Sequence, residues 1–168
     1  IEVPEKALDP NATVIKLEIV GAPKVAKVFI QPGEDGSIEL PATMADFPAP
    51  AKGASPRFRD GETGKEIGFW DNPEAAVTWE FTGAKPGEYE VLAEVSGIKD
   101  AKVVVEFGGQ KIAAPLANTK NYANYKVQNL GKIRIADDGN QTIVVKPDPS
   151  DWSAFNVLKV TIRPVAGQ

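Results

Sequence analysis

The chain has 168 residues, 42% hydrophobic and 25% charged, with a formal charge of −4. It contains no cysteine, no histidine and one methionine, which excludes disulfides, thiolate chemistry, Ser-His-Asp triads and imidazole-bound metals. No basic block and no apolar run of about 20 residues occurs, so neither a nucleic-acid partner nor a membrane-spanning helix is expected.

Fifteen glycines and fourteen prolines punctuate the chain at short intervals, the pattern of strands joined by turns. Residues 13–20 alternate apolar and polar and predict a strand; 24–30 predict a second. Turns at Pro32-Gly33 and Asp35-Gly36 lead to a short strand at 37–40. Residues 42–66 lack periodicity and read as a long connection, with one helical turn near 43–47. A loop of that length is unusual in a compact domain and is often a binding loop or a poorly ordered segment.

Order resumes at Ile67. Residues 76–81 alternate, Pro86-Gly87 turns the chain, and 88–95 form the next strand. Gly108-Gly109 between runs 102–107 and 110–114 predicts a type I′ hairpin, whose central residues both need positive φ. Strands at 125–127, 131–135, 141–146 and 156–163 follow, with a turn at Asp138-Gly139. Nine to eleven strands with close turns predict an all-β fold: an antiparallel β-sandwich of jelly-roll type.

Several segments carry a family resemblance. The run Ile67-Gly68-Phe69-Trp70-Asp71-Asn72-Pro73, then Val77-Thr78-Trp79-Glu80-Phe81, then Lys85-Pro86-Gly87-Glu88-Tyr89-Glu90-Val91 recur in order with Phe155-Asn156-Val157-Leu158-Lys159-Val160. Together they resemble galactose-binding-like jelly rolls, specifically carbohydrate-binding modules of families 6 and 35, over about residues 36–164. The opening 9–19 resembles the end of the β-sandwich that follows the catalytic barrel in retaining α-L-fucosidases. The resemblance implies two parts: an N-terminal strand segment at 1–35, from a preceding glycosidase sandwich or an adaptor, and the jelly-roll module at 36–168. Since the chain opens on Ile1, a processed or excised product is expected.

Sugar recognition needs aromatic faces on loops with hydrogen-bonding groups beside them. Trp79 and Tyr89 lie on the apolar phase of strands and are expected in the core. Trp70 and Asn72 lie in a polar, loop-like segment. Trp152, with Asp151 before it, lies in a segment whose prolines exclude a central strand. The resemblance implies that Asn156 hydrogen-bonds sugar, that Tyr122 is a stacking platform, and that Tyr125 is a core aromatic. The expected ligand-binding set is therefore Trp70, Asn72, Tyr122, Asp151, Trp152 and Asn156. For Trp70 the alternative is a rim residue packing on a sheet; for Asn156, a turn residue bonding its own backbone.

The family often holds a structural calcium. Glu39 matches its first position, but the last-strand position is Leu158, which ligates nothing, so no metal or other cofactor is expected. The carboxylate pairs Asp71/Glu74 and Asp148/Asp151 are expected to be solvated turn residues rather than a glycosidase pair. Asn11-Ala12-Thr13 and Asn140-Gln141-Thr142 match the glycosylation sequon. The resulting expectation is a non-catalytic, secreted or periplasmic glycan-binding module accessory to an α-L-fucosidase-like hydrolase. The alternative is a docking sandwich with no sugar ligand.

Overall fold

The computed structural model describes residues 20, 21, 27–62 and 64–165. The strand expected at 13–20 and most of that at 24–30 lie outside the described residues. Among the described residues, ten strands form two sheets: β1 (Ile38–Pro41), β2 (Arg57–Gly61), β3 (Gly64–Gly68), β4 (Val77–Phe81), β5 (Gly87–Gly97), β6 (Ala101–Phe107), β7 (Gln110–Leu116), β8 (Lys126–Ile135), β9 (Gln141–Pro147) and β10 (Phe155–Pro164). A 3-10 turn, Ala42–Met44, follows β1.

One sheet runs β2-β3-β10-β5-β8, with β1 continuing β3 along the same edge of β10; the other runs β4-β9-β6-β7. All ladders between these strands are antiparallel. The β-sandwich expected from the sequence is thus the fold observed.

Alternation dictates the packing. In β4, Val77, Trp79 and Phe81 point inward while Thr78 and Glu80 face outward. They meet Val91, Ala93 and Val95 of β5 and Val160 and Ile162 of β10 in one core. Ile30 joins that core through a parallel bridge to Phe81 on the free edge of β4.

The hairpin between β6 and β7 turns on Gly108 and Gly109 with φ of 52° and 79°, as the type I′ turn requires. Two bulges adjust the inward phase. Leu130 is the extra residue between the pairs Val91–Gly131 and Leu92–Asn129. Leu158 is the extra residue between Val157–Val95 and Lys159–Glu94, which keeps Val157 and Val160 inward and Lys159 outward.

The connection expected at 42–66 is corrected. It holds the hairpin of β2 and β3, registered Arg57–Gly68, Phe58–Ile67 and Arg59–Glu66. β2 is an edge strand carrying charges on its exposed positions, so it shows no apolar period.

Candidate functional site

On the face of the six-stranded sheet turned away from the core, Asn156 of β10 lies opposite Ser96 of β5. Glu66 and Gly68 stand on the same face of β3, flanking inward Ile67. The chain between β7 and β8 folds back over this face. The Tyr122 carbonyl accepts bonds from Ser96 Oγ at 2.8 Å and Asn156 Nδ2 at 3.3 Å. Deeper in the loop, Thr119 Oγ1 accepts the Gly97 amide N–H at 3.0 Å and donates to the Asn121 carbonyl at 2.9 Å. Asn124 Nδ2 donates to the Thr119 carbonyl at 2.8 Å. The loop therefore sits on fixed side-chain props.

Between this loop and the β2–β3 hairpin opens a cleft of about 370 Å³ lined by Arg59, Asp60, Gly61, Glu62, Glu66, Tyr122, Ala123 and Tyr125. Glu66 is only 1% exposed. A buried carboxylate needs partners, and it has two. Tyr125 Oη donates to Glu66 Oε2. Arg59 Nε lies 2.8 Å from Oε1, a charge contact off the line of an N–H···O bond. Burial, and then the bond to Glu66, raise the Tyr125 phenol well above its ordinary range. At the cleft mouth the Lys65 ammonium, 2.7 Å from Asp60 Oδ1, holds the Asp60 carboxyl low.

The six residues expected to line a ligand site do not assemble. Tyr122 lines this cleft and Asn156 touches its carbonyl, but Asn156 is 4% exposed, outside the lining, and its amide donor is spent on that carbonyl. Trp70 is 1% exposed, its ring held by an Nε1–H bond to the Ala75 carbonyl at 3.1 Å. Trp152 packs on it with centroids 5.5 Å apart and donates its own Nε1–H to the Trp70 carbonyl at 3.2 Å. Both indoles close the end of the core beside Phe155, so Trp70 takes the packing alternative. Asn72 clamps the 52–54 backbone, donating to the Lys52 and Ala54 carbonyls at 2.7 and 3.1 Å. Asp151 pairs with Lys102 of the opposite sheet at 3.1 Å. Tyr125, implied to be a core aromatic, is half-buried in the cleft wall.

Sequence reasoning missed Arg59, Glu66 and Phe69. The first two become a pair only through the hairpin register. Phe69 follows Gly68, where an added Cβ would stand 3.1 Å from Asn156 Oδ1. It is 51% exposed with φ of 55°, a left-handed conformation that costs a non-glycine residue about 1–3 kcal/mol. The Arg57 guanidinium lies 4.2 Å from its ring centroid.

The carboxylate pairs considered from sequence do not resemble a catalytic site. Asp71 and Glu74 are exposed. Asp148 is held low by the Ser150 hydroxyl and amide, opposite to the raised acid of a glycosidase. Glu39, the residue matching the first calcium position, pairs with Lys159 at 2.6 Å, and Leu158 is the bulge residue.

No family model matches this chain, and no curated protein does. Solved structures do. A family 6 carbohydrate-binding module from Clostridium stercorarium, solved with cellobiose, superposes with a TM-score of 0.61 at 15% identity, covering 83% of this chain and 100% of that one. A family 35 carbohydrate-binding module from Clostridium thermocellum gives a TM-score of 0.63 at 11% identity, covering 77% and 98%. A Podospora anserina mannanase that couples a family 26 glycoside hydrolase to a family 35 module gives 0.60 at 16% identity, covering 80% of this chain and 29% of that chain. This chain therefore matches the length of single modules and less than a third of the mannanase. At these identities the likeness establishes a shared sandwich fold.

Proposed function

We propose that the chain is a non-catalytic glycan-binding module, with the cleft between the β2–β3 hairpin and the 117–125 loop as its sugar site. The observation that carries the reading is the half-buried Tyr122, whose carbonyl is fixed to two strands beside a polar cleft. An aromatic side chain on a loop already held in place gives a sugar an apolar face at little ordering cost. Arg59, Asp60 and Tyr125 supply donors and acceptors for hydroxyls. The like-folded modules, one of them joined to a glycoside hydrolase, support this assignment. On the sequence resemblance, the module acts outside the cytoplasm, accessory to an α-L-fucosidase-like hydrolase, with residues 1–35 as the link.

Calorimetric titration against a panel of plant, algal and host oligosaccharides tests the reading. At least one ligand is expected to bind with millimolar or better affinity, and Tyr122→Ala is expected to weaken it about tenfold while leaving the melting temperature unchanged. A full panel without response refutes it.

A second reading, a docking sandwich that binds no sugar, is favoured by one observation: Trp70 is buried in the core and the half-buried Trp152 packs over it, rather than both being shared by a groove. Retention of hydrolase activity on soluble substrate, with loss of hydrolase stability when the module is removed, would support it.

A further inference from the structure

Beside the cleft proposed above, two residues along β2 from its lining Arg59, stands a feature that neutral-sugar recognition does not require. Residues 57 and 59 alternate onto one face of β2, about 7 Å apart along the strand, with Gly68 and Glu66 as their partners. They differ in charge balance. Arg59 is neutralised by buried Glu66. Arg57 is exposed, and among the described residues it enters no ion pair. Its guanidinium rests on the Phe69 ring instead.

That contact explains an odd backbone. Phe69 takes a left-handed φ although its ring is half in solvent. Its neighbour Trp70 turns inward to the core. The left-handed turn brings the Phe69 ring beneath Arg57, so one face of the ring is taken by the cation. The ring thus works as a seat for the guanidinium rather than as an open platform. The ring face takes the charge of the guanidinium without using up its planar fork of N–H donors, which is matched in shape to a carboxylate or sulfate.

Resting on the glycan-binding reading, we infer that the sugar bound here is anionic, with a carboxylate or sulfate ester gripped by Arg57 on its Phe69 seat. The formal charge of −4 makes the inference sharper. The surface as a whole repels a polyanion, so capture depends on the local fork.

The test uses two matched pairs: polygalacturonate oligosaccharides with their fully methyl-esterified forms, and a sulfated galactan with its desulfated form. Titrations run at about 20 and about 300 mM salt. The acidic member of one pair is expected to bind about tenfold tighter at low salt, with the preference shrinking as salt screens it. The pair that shows the preference identifies carboxylate or sulfate. Arg57→Gln is expected to abolish the preference and Arg57→Lys to retain only part of it, since an ammonium lacks the fork. Both variants should melt with the parent, because Arg57 is an exposed edge-strand residue. Equal binding of charged and neutral members overturns the inference while leaving the glycan reading intact. A preference that survives Arg57→Gln overturns the assignment to Arg57. Failure of both pairs alongside a silent neutral panel removes both readings together.

Discussion

Replacing Trp70 by Ala separates a packing residue from a sugar platform. The side chain is 1% exposed and touches Trp152 with centroids 5.5 Å apart. Burying a tryptophan removes about 150–250 Å² from water, which at about 25 cal/mol per Å² corresponds to about 4–6 kcal/mol. Alanine keeps a small part of that, and the cavity adds a penalty, giving an expected loss of about 3–5 kcal/mol. The Nε1–H bond to the Ala75 carbonyl is lost as well. For a domain of this size the melting temperature should fall by roughly 10–20 °C. Urea denaturation and calorimetry read this directly. Trp70→Phe should fall between the two, and a cycle with Trp152→Ala should be non-additive by about 0.5–3 kcal/mol. A Trp70→Ala protein within about 1 kcal/mol of the parent that no longer binds glycan would refute the packing assignment.

Three other outcomes follow from the geometry. Gly131 has φ of 116°, and an added Cβ would meet Ile112 Cγ2 at 2.8 Å; Gly131→Ala should cost about 1–3 kcal/mol, read from the urea midpoint. Glu66→Ala leaves Tyr125 Oη and Arg59 without their partner and should cost about 3 kcal/mol, whereas Glu66→Gln keeps an acceptor for Tyr125 and should cost clearly less; equal losses would refute the hydrogen-bonded role. The phenols of Tyr89 and Tyr125 are raised above 10 by burial, with the Glu66 bond adding to Tyr125. Raised folded values mean that this stability is fully present below pH 10 and is lost as pH climbs through the folded values. Denaturation midpoints should therefore fall above about pH 10, less steeply in Tyr125→Phe.

The strands that alternate cleanly were legible in the sequence because one face meets the core and the other water. Val77, Trp79 and Phe81 show it plainly. The Gly108-Gly109 turn was legible because few residues adopt two successive positive φ values. The β2–β3 hairpin was not: its strands place charge on both sides, and only the paired Phe58 and Ile67 mark its inward phase. The cleft suffered accordingly, since Arg59 and Glu66 meet only in that register.

Trp70 and Trp152 show a different limit. Prolines, aspartates and asparagines around them identify a loop backbone but not the direction of a side chain. Between Phe69 and Trp70, one left-handed φ decides which ring goes to solvent and which to the core. The resemblance put Tyr122 and Asn156 in one ligand set; the two do meet, but through the Tyr122 carbonyl, which takes the asparagine amide.

The extra residue at Leu158 has a practical consequence for anyone reshaping this scaffold. Val157 and Lys159 already oppose consecutive residues of β5, Val95 and Glu94. Removing Leu158 would therefore restore a regular ladder without transposing any neighbour from one side to the other. The half of the strand bearing Asn156 would keep its partners but lose the bend supplied by the bulge. A one-residue deletion thus becomes a steering adjustment, tilting the Asn156 end of the strand against an unchanged core.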